Sequence, residues 1–353
     1  MSPPLEILNQ SAAELLLLEF DRIGAGPLVV LGDLNADDAE KLSYAREEAP
    51  IRFLVRFFSD QESYKDRDLQ VAAQWWPEVD PDVEHVVIFH SREKETTDLR
   101  VASALEAFPK AKEIFVVGHN KLGTGNLHKR FSKWFRESDK VASARHSAIL
   151  RLARPIEGAF PQRQDDWWQS WEFTLDGAKH TIWDLPGVFS RGELDRGSEM
   201  LIRNAHDFRG DNVLDLGAGS GVLSIARGLR SPSAQLTLVE HDILAVASAE
   251  RNLRELGLSD RAKIVFGDVE EVLPGRFDAV LTNPPFHAGS VMTTATTLRW
   301  FETMKQLLRP GGELTIVANR HLPYADPLDK AFKNVRVVDE DTKFRVWNAR
   351  QPR

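Results

Sequence analysis

Apolar residues along this chain come in short compact runs, separated by stretches where they recur every three or four positions. Buried strands alternating with amphipathic helices produce that pattern, and it is the signature of an α/β sheet. In the first half, residues 28–33, 51–57, 86–89 and 113–117 read as strands. Residues 96–108 put Leu99, Ala102, Leu105 and Phe108 on one helical face, and Pro109 stops the helix. Residues 126–136 read as another helix and 140–153 as a hairpin or long bent strand. Around 155–166 the pattern breaks into proline, glycine and polar residues, which sets domains over 1–160 and 161–353. Beyond it, an alternating pair of segments flanks Asp176-Gly177 and predicts a tight hairpin, followed by a helix over 194–205. Strands then follow at 212–216, 235–240, 263–267, 278–282 and 313–318, with helices at 221–229, 243–256 and 293–308 and a closing hairpin at 335–348.

The two halves repeat. Residues 113–118 match 313–318 in pattern, 86–89 match 279–282, and 28–31 match 212–215, with strand order and spacing kept. The expectation is two tandem Rossmann-like α/β domains arising from duplication. On that alignment Asn283-Pro284-Pro285-Phe286 in the second copy stands opposite His90-Ser91-Arg92-Glu93 in the first.

Composition narrows the chemistry. The 353 residues suffice for two cores, and they include no cysteine, which removes disulfides, thiolate metal sites and cysteine nucleophiles; no metal is expected. Residues 1–20 carry acids, no basic residue and one four-leucine run, so neither a secretory signal nor a membrane span is expected, and the chain reads as a soluble cytoplasmic protein without a membrane partner. A net charge of -8 opposes a nucleic-acid partner at first sight, but residues 110–154 carry 11 Lys and Arg against 3 acids. Local charge is what steers a polyanion, so Lys129, Arg130 and Lys133 are candidate RNA contacts; the alternative is a solvated basic helix face.

Candidate chemistry gathers at the strand ends of the second half. Val213 to Gly221 is a strand running into a glycine-rich turn that opens a helix, with Gly217, Gly219 and Gly221 free of a Cβ where a ligand would lie against the backbone. The spacing is not the dinucleotide fingerprint, and Asp215 before the first glycine suits a cationic group better than a pyrophosphate. Glu240 ends the next strand, where it can accept hydrogen bonds from ribose hydroxyls, and Asp268 follows the third, where an adenine amine could be read. Asn283, Pro284, Pro285 and Phe286 follow the fourth strand and combine an amide acceptor, a rigid turn and an aromatic ring, a clamp for a planar amine. His287 is a substrate contact or polar surface. Phe189 and Asp195 form a lid or a packed connecting loop, and Trp167, Trp168 and Trp171 read as hairpin and interdomain core rather than a base-stacking platform.

Over roughly 185–320 these residues resemble the class I S-adenosylmethionine-dependent methyltransferases. The resemblance implies that Asp215 to Gly221 holds the methionine part of S-adenosylmethionine, Glu240 its ribose and Asp268 its adenine. Asn-Pro-Pro-Phe is similar to the amine-methylating branch, in which Asn283 and the Pro284 carbonyl accept both N–H groups of an amine while Phe286 stacks on its ring. With Pro186-Gly187-Val188-Phe189-Ser190, Leu194-Asp195-x-Gly197-Ser198 and Leu322-Pro323-Tyr324, the chain resembles the ribosomal RNA guanine-N2 methyltransferases of the RsmC type. That likeness implies methyl transfer to a guanine N2 amine in small-subunit (16S) ribosomal RNA, within a 30S particle or assembly intermediate, and a degenerate N-terminal methyltransferase-like domain serving RNA recognition. Glu240 stands where many members have Asp. The alternatives are a large-subunit guanine-N2 methyltransferase, a glutamine N-methyltransferase, for which Tyr would be more usual than Phe286, and a non-catalytic RNA-binding assembly protein.

Overall fold

Strands made almost wholly of Leu, Val, Ile and Phe must be covered on both faces, and helices do this in each half of the chain. The computed structural model describes residues 5–46, 49–161, 163–205, 210–269, 277–284 and 294–352, in two units, Met1–Trp168 and Gln169–Arg353. In the first unit the order is α1 (Leu5–Leu18), β1 (Leu28–Leu31), α2 (Ala36–Tyr44), β2 (Ile51–Val55), α3 (Phe58–Lys65), β3 (Gln70–Ala73), β4 (His85–Phe89), α4 (Lys94–Ala107), β5 (Glu113–His119), α5 (Leu127–Phe131), β6 (Phe135–Ala144) and β7 (Ser147–Pro155). Across the sheet the order is β3-β2-β1-β4-β5-β7-β6, parallel as far as β5, with β7 antiparallel to both of its neighbours. Side chains alternate between two cores: Val30, Phe53, Val87 and Phe115 face one, and Val29, Leu54, Val86 and Ile114 the other.

The second unit opens with a separate hairpin, β8 (Gln169–Leu175) and β9 (Ala178–Asp184), turning at Asp176-Gly177, both with positive φ. It continues as α6 (Arg196–Asn204), β10 (Asn212–Leu216), α7 (Val222–Arg230), β11 (Gln235–Glu240), α8 (Ile243–Glu255), β12 (Ala262–Phe266), β13 (Phe277–Thr282), α9 (Thr294–Leu307), β14 (Leu308–Asn319), α10 (Ala325–Ala331), β15 (Phe332–Glu340) and β16 (Phe344–Pro352). Its sheet order, β12-β11-β10-β13-β14-β16-β15, repeats the first strand for strand. The closing hairpins even share a bulge, between Lys140 and Ala142 in one and Val337 and Asp339 in the other, each at the same distance from the matching pairs Phe135–Pro155 and Phe332–Pro352.

The ladders shift the sequence alignment of the copies by one residue. Ile114 pairs with Val86 and Leu314 with Val280, so Phe89, not His90, lies opposite Asn283. Apolar strands slide past each other in a sequence comparison at no cost, whereas hydrogen-bond pairing fixes their register. Three further expectations change. The helix expected over 126–136 ends at Phe131, because Phe135 pairs with Pro155 to start β6; Leu127, Phe131 and Phe135 are four apart and suit either structure. The unit boundary falls after Trp168 rather than at 160, since Phe160 stacks on Trp134 (centroids 5.3 Å apart) and Trp167 meets the same ring edge-on at 6.4 Å. The hairpin or bent strand expected over 140–153 is a hairpin with longer arms, β6 and β7.

Candidate functional site

The carboxyl ends of β10, β11 and β13 meet in the second unit. Gly217 and Ala218 donate their N–H groups to the Val239 carbonyl (2.9 and 3.1 Å), which turns the chain sharply out of β10. Gly217, Gly219 and Gly221 have φ of 70°, 56° and 83°, a region in which a side chain would be strained. At Gly219 a Cβ would meet nothing within 4 Å, whereas at Gly221 it would press on Leu238 and Ala249, at 3.2 and 3.4 Å. The first position is thus open to a ligand and the other is needed for packing α7 against the sheet.

Two buried acids hold this turn. Glu240 accepts from the Gly219 N–H at 2.7 Å and from the His241 and Asp242 N–H groups at 2.9 and 3.0 Å, and burial raises its pKa. Asp215 is wholly buried; its Oδ2 accepts from the Ser224 N–H and hydroxyl at 3.0 and 2.9 Å, while Oδ1 has no partner among the described residues. Burial outweighs those two hydrogen bonds and pushes the Asp215 pKa up to about 7. The folded state therefore holds this proton more tightly than the unfolded chain does, and the stability linked to it is complete below the ordinary carboxylate value and is lost as pH rises through about 7. Chemical denaturation of wild type and Asp215→Asn at pH 5 and pH 8 should show the difference moving by about 2 to 3 kcal/mol in favour of the variant at the higher pH.

Asn283 leaves β13 just after Thr282, whose hydroxyl donates to the Leu216 carbonyl at 2.8 Å and ties that strand end to the glycine turn. The Asn283 side-chain nitrogen donates to Asp195 Oδ2 and to Ser198 Oγ, both at 2.9 Å. Asp195 is also the N-cap of α6, accepting from the Ser198 N–H at 3.0 Å. A cavity of about 430 Å³, its open mouth included, is lined by Gly217, Gly219, Asn283, Asp195, Phe189 and Trp171, among others.

The hairpin contributes a residue that the sequence did not single out. Asp184, fully buried at the end of β9, accepts from the Ser220 hydroxyl, the Trp171 indole N–H and, at 3.2 Å, the Gly192 N–H. It joins the glycine turn, the hairpin and the 185–195 loop, and burial raises its pKa. Asn252 adds a second tie, donating to the carbonyls of Ser220 and Trp183 at 3.0 and 3.1 Å. The signal available in the sequence was the position of Asp184 at the exit of an Asp-Gly hairpin, directly before the Leu-Pro-Gly loop.

The structure thus brings Gly217, Gly219, Asn283, Phe189 and Asp195 to one cavity. Asp215, Gly221 and Glu240 stand behind its wall, and Asp268 is exposed beyond β12, its Oδ1 accepting its neighbour Val269's N–H at 2.8 Å. Pro284 is described; Phe286 and His287 lie outside the described residues. Of the basic segment, Arg130 is held by Asp98 through Nε at 2.8 and 2.9 Å, Arg145 by Glu14, and Arg151 by Glu113 and Glu137. Asp98 and Glu14, from outside the segment, thus each pair with one of its charges, while Glu113 and Glu137 are acids of the segment itself. Lys129 and Lys133 are exposed, with no ion pair among the described residues.

In the first unit the matching positions are closed. Val30 and Val55 stand where the second unit has Asp215 and Glu240, and the loop after β1 is Gly32-Asp33-Leu34-Asn35. Arg100 fills the space above Gly32, paired with Asp33 at 2.8 Å and donating to the Phe89 carbonyl at 3.2 Å. Among the described residues no helix is long and apolar enough to cross a membrane.

Comparison with known proteins supplies family models and relatives. The methyltransferase small domain model matches residues 179–348 and the methyltransferase small domain N-terminal model residues 13–171. A Hahella chejuensis protein called ribosomal RNA small subunit methyltransferase C is 33% identical over 287 residues, covering 81% of this chain and 80% of its own. A protein of the same name from Mannheimia succiniciproducens is 33% identical over 264 residues, covering 74% and 77%. Among solved structures, a T. thermophilus 16S rRNA N2 guanine methyltransferase in complex with AdoMet and guanosine superposes with a TM-score of 0.80 at 24% identity, over 96% of this chain and 91% of that one, a likeness of fold.

Proposed function

This chain belongs to the ribosomal RNA small subunit methyltransferase C family, and from that premise we propose that it transfers a methyl group from S-adenosylmethionine to the exocyclic N2 amine of a guanine in 16S ribosomal RNA. The observation that carries the reading is that the glycine turn and Asn283 line the same cavity at the carboxyl end of one sheet.

The residues present fit the cofactor. Gly219 leaves the cavity wall open where a Cβ would protrude, and the carboxyl groups of Asp215 and Glu240 lie directly behind that wall, where a cationic ligand would favour their ionised forms. Gly217 and Gly219 would hold the methionine part and Asp268 the adenine, with Asp215 acting through the turn it braces and Glu240, behind Gly219, meeting the ribose through the Oε2 lone pair that the Gly219 N–H leaves unused. When bound, S-adenosylmethionine supplies an electrophilic methyl group. The chain's own task is then orientation: the Asn283 side-chain oxygen and the Pro284 carbonyl accept the two amine N–H groups and turn the nitrogen lone pair toward the glycine turn. Phe286 stacks on the base, and Phe189, half exposed at the cavity mouth, adds a second apolar surface. The amine becomes acidic only as its new N–C bond forms, so the proton can pass to solvent and no strong base is required.

A guanine stacked in a helix must be unstacked before its amine can enter, so a 30S particle or an assembly intermediate is the expected substrate, and a ribosomal substrate fits a cytoplasmic enzyme. Incubation with labelled cofactor and unmethylated 30S or 50S particles tests this. Label in 16S RNA is the expected result; label only in 50S RNA or only in protein would sink it. On the first unit, Lys129 and Lys133 are the proposed phosphate contacts, whereas Arg130 serves the fold through Asp98. Replacing both lysines by Glu should weaken RNA binding and reduce the slope of log affinity against log salt by about 1 per lost phosphate contact. An unchanged slope would assign both to solvent.

A further inference from the structure

We propose that Asp195, Gly197 and Ser198 act as positioning residues that lock the Asn283 amide in the orientation presenting its oxygen to the substrate amine, an inference that rests on the role of Asn283 given above. A carboxylate has no proton to give, so the amide atom 2.9 Å from Asp195 Oδ2 must be the nitrogen. Its second hydrogen goes to Ser198 Oγ, also at 2.9 Å. Both donors of the amide are thus spent on the start of α6, and Oδ1, without a partner among the described residues, is left to the cavity that Asn283 lines. Without these two acceptors the amide can turn over about its terminal bond, which is a broad, nearly two-fold torsion. It would then offer N–H groups to an amine that also needs acceptors.

The lock is itself rigid. The same Asp195 oxygen caps α6 through the Ser198 N–H at 3.0 Å, and the Asp195 carbonyl accepts from the Glu199 N–H at 2.8 Å. Between them, Gly197 makes the close approach possible. A Cβ there would lie 3.0 Å from Asp195 Oδ2, 3.4 Å from the Asn283 nitrogen and 3.4 Å from Val317 on β14. Asp-x-Gly-Ser therefore does two things at once: it starts a helix and orients an amide on a different strand.

The test uses the full chain, with kcat and KM for 30S methylation, cofactor affinity by calorimetry, and Tm. Asp195→Ser keeps a good helix cap but is too short to reach Asn283, and kcat should fall about 10- to 100-fold while cofactor affinity stays within about threefold. Asp195→Asn, whose oxygen can accept both hydrogen bonds, should recover most of that loss. In an Asn283→Ala background, Asp195→Ser should add no further loss. Asn283→Asp sets two carboxylates against each other, and adding Asp195→Asn reverses donor and acceptor, so the double variant should regain at least about tenfold in kcat over Asn283→Asp alone. Wild-type kcat in folded Asp195→Ser, an undiminished Asp195→Ser loss in the Asn283→Ala background, or no recovery in the reversed pair would overturn the lock. If Asn283→Ala itself keeps its turnover, the reading of Asn283 falls; if it is dead while Asp195→Ser is fully active, only the lock falls.

Discussion

Asn283→Ala is expected to lower the turnover of 30S methylation by about a thousandfold while leaving affinity for S-adenosylmethionine within about tenfold. The variant removes a side-chain acceptor that lines the cavity beside the glycine turn and has no partner among the described residues, so the amine loses half of the pair that turns its lone pair. Binding of the cofactor should change little, because the glycine turn is held by Val239, Glu240 and Asp215, none of which hydrogen-bonds Asn283. Stability should also fall only modestly, since Asp195 keeps its capping bond to Ser198. Single-turnover transfer of labelled methyl groups, beside calorimetry of the cofactor, separates the two quantities. Unchanged turnover would refute the assigned role.

Glu240→Ala should act the other way round, on binding and on the fold. Its carboxylate is the acceptor for three backbone N–H groups, those of Gly219, His241 and Asp242, in a site where Glu240 is 6% exposed. Leaving buried donors unmet costs about 1 to 3 kcal/mol each, so a loss of at least about 3 kcal/mol and a Tm lower by several degrees are expected. Cofactor affinity should drop at least about a hundredfold, because the ribose contact goes and Gly219 loses the bond that shapes the turn. A lowered Tm with wild-type cofactor affinity would confine Glu240 to the fold. Glu240→Gln retains one acceptor oxygen and should fall between the two in both measurements.

Much of the scaffold was legible because its causes are local. Strands β1, β2, β4, β5, β10, β11, β13 and β14 are runs of apolar residues buried on both faces, and such runs announce themselves in any sequence. Helices and a strand with weaker patterns did not. α2 and α3 are short and mostly polar, β3 is a half-exposed edge strand, and α1 hides Ala12, Ala13, Leu15 and Leu16 within a segment that reads as a simple leucine run. The basic stretch showed its charge in the sequence but not its partners. Glu113 and Glu137, which pair with Arg151, belong to the stretch itself, whereas Asp98 and Glu14, which pair with Arg130 and Arg145, come from far outside it.

The sequence by itself determined that this is a duplicated α/β protein, that a strand in the second copy runs into a glycine turn accompanied by acids at successive strand ends, and that the Asn283-Pro284-Pro285-Phe286 clamp stands in the second copy and not in the first. Those features depend on residue type and on short spacings along one strand–turn–helix unit. Only the tertiary structure decided which residues face the cavity and which brace it. It placed Asp215 and Glu240 behind the wall, brought Asp184 from the hairpin to Ser220, and set Asp195 and Ser198 against Asn283. It also set the register in which Phe89 and Arg100 close the matching place in the first copy. The physical reason is that hydrogen bonds between residues far apart in sequence act across a few ångströms, and that distance exists only after the sheet has ordered its strands and the helices have packed on it.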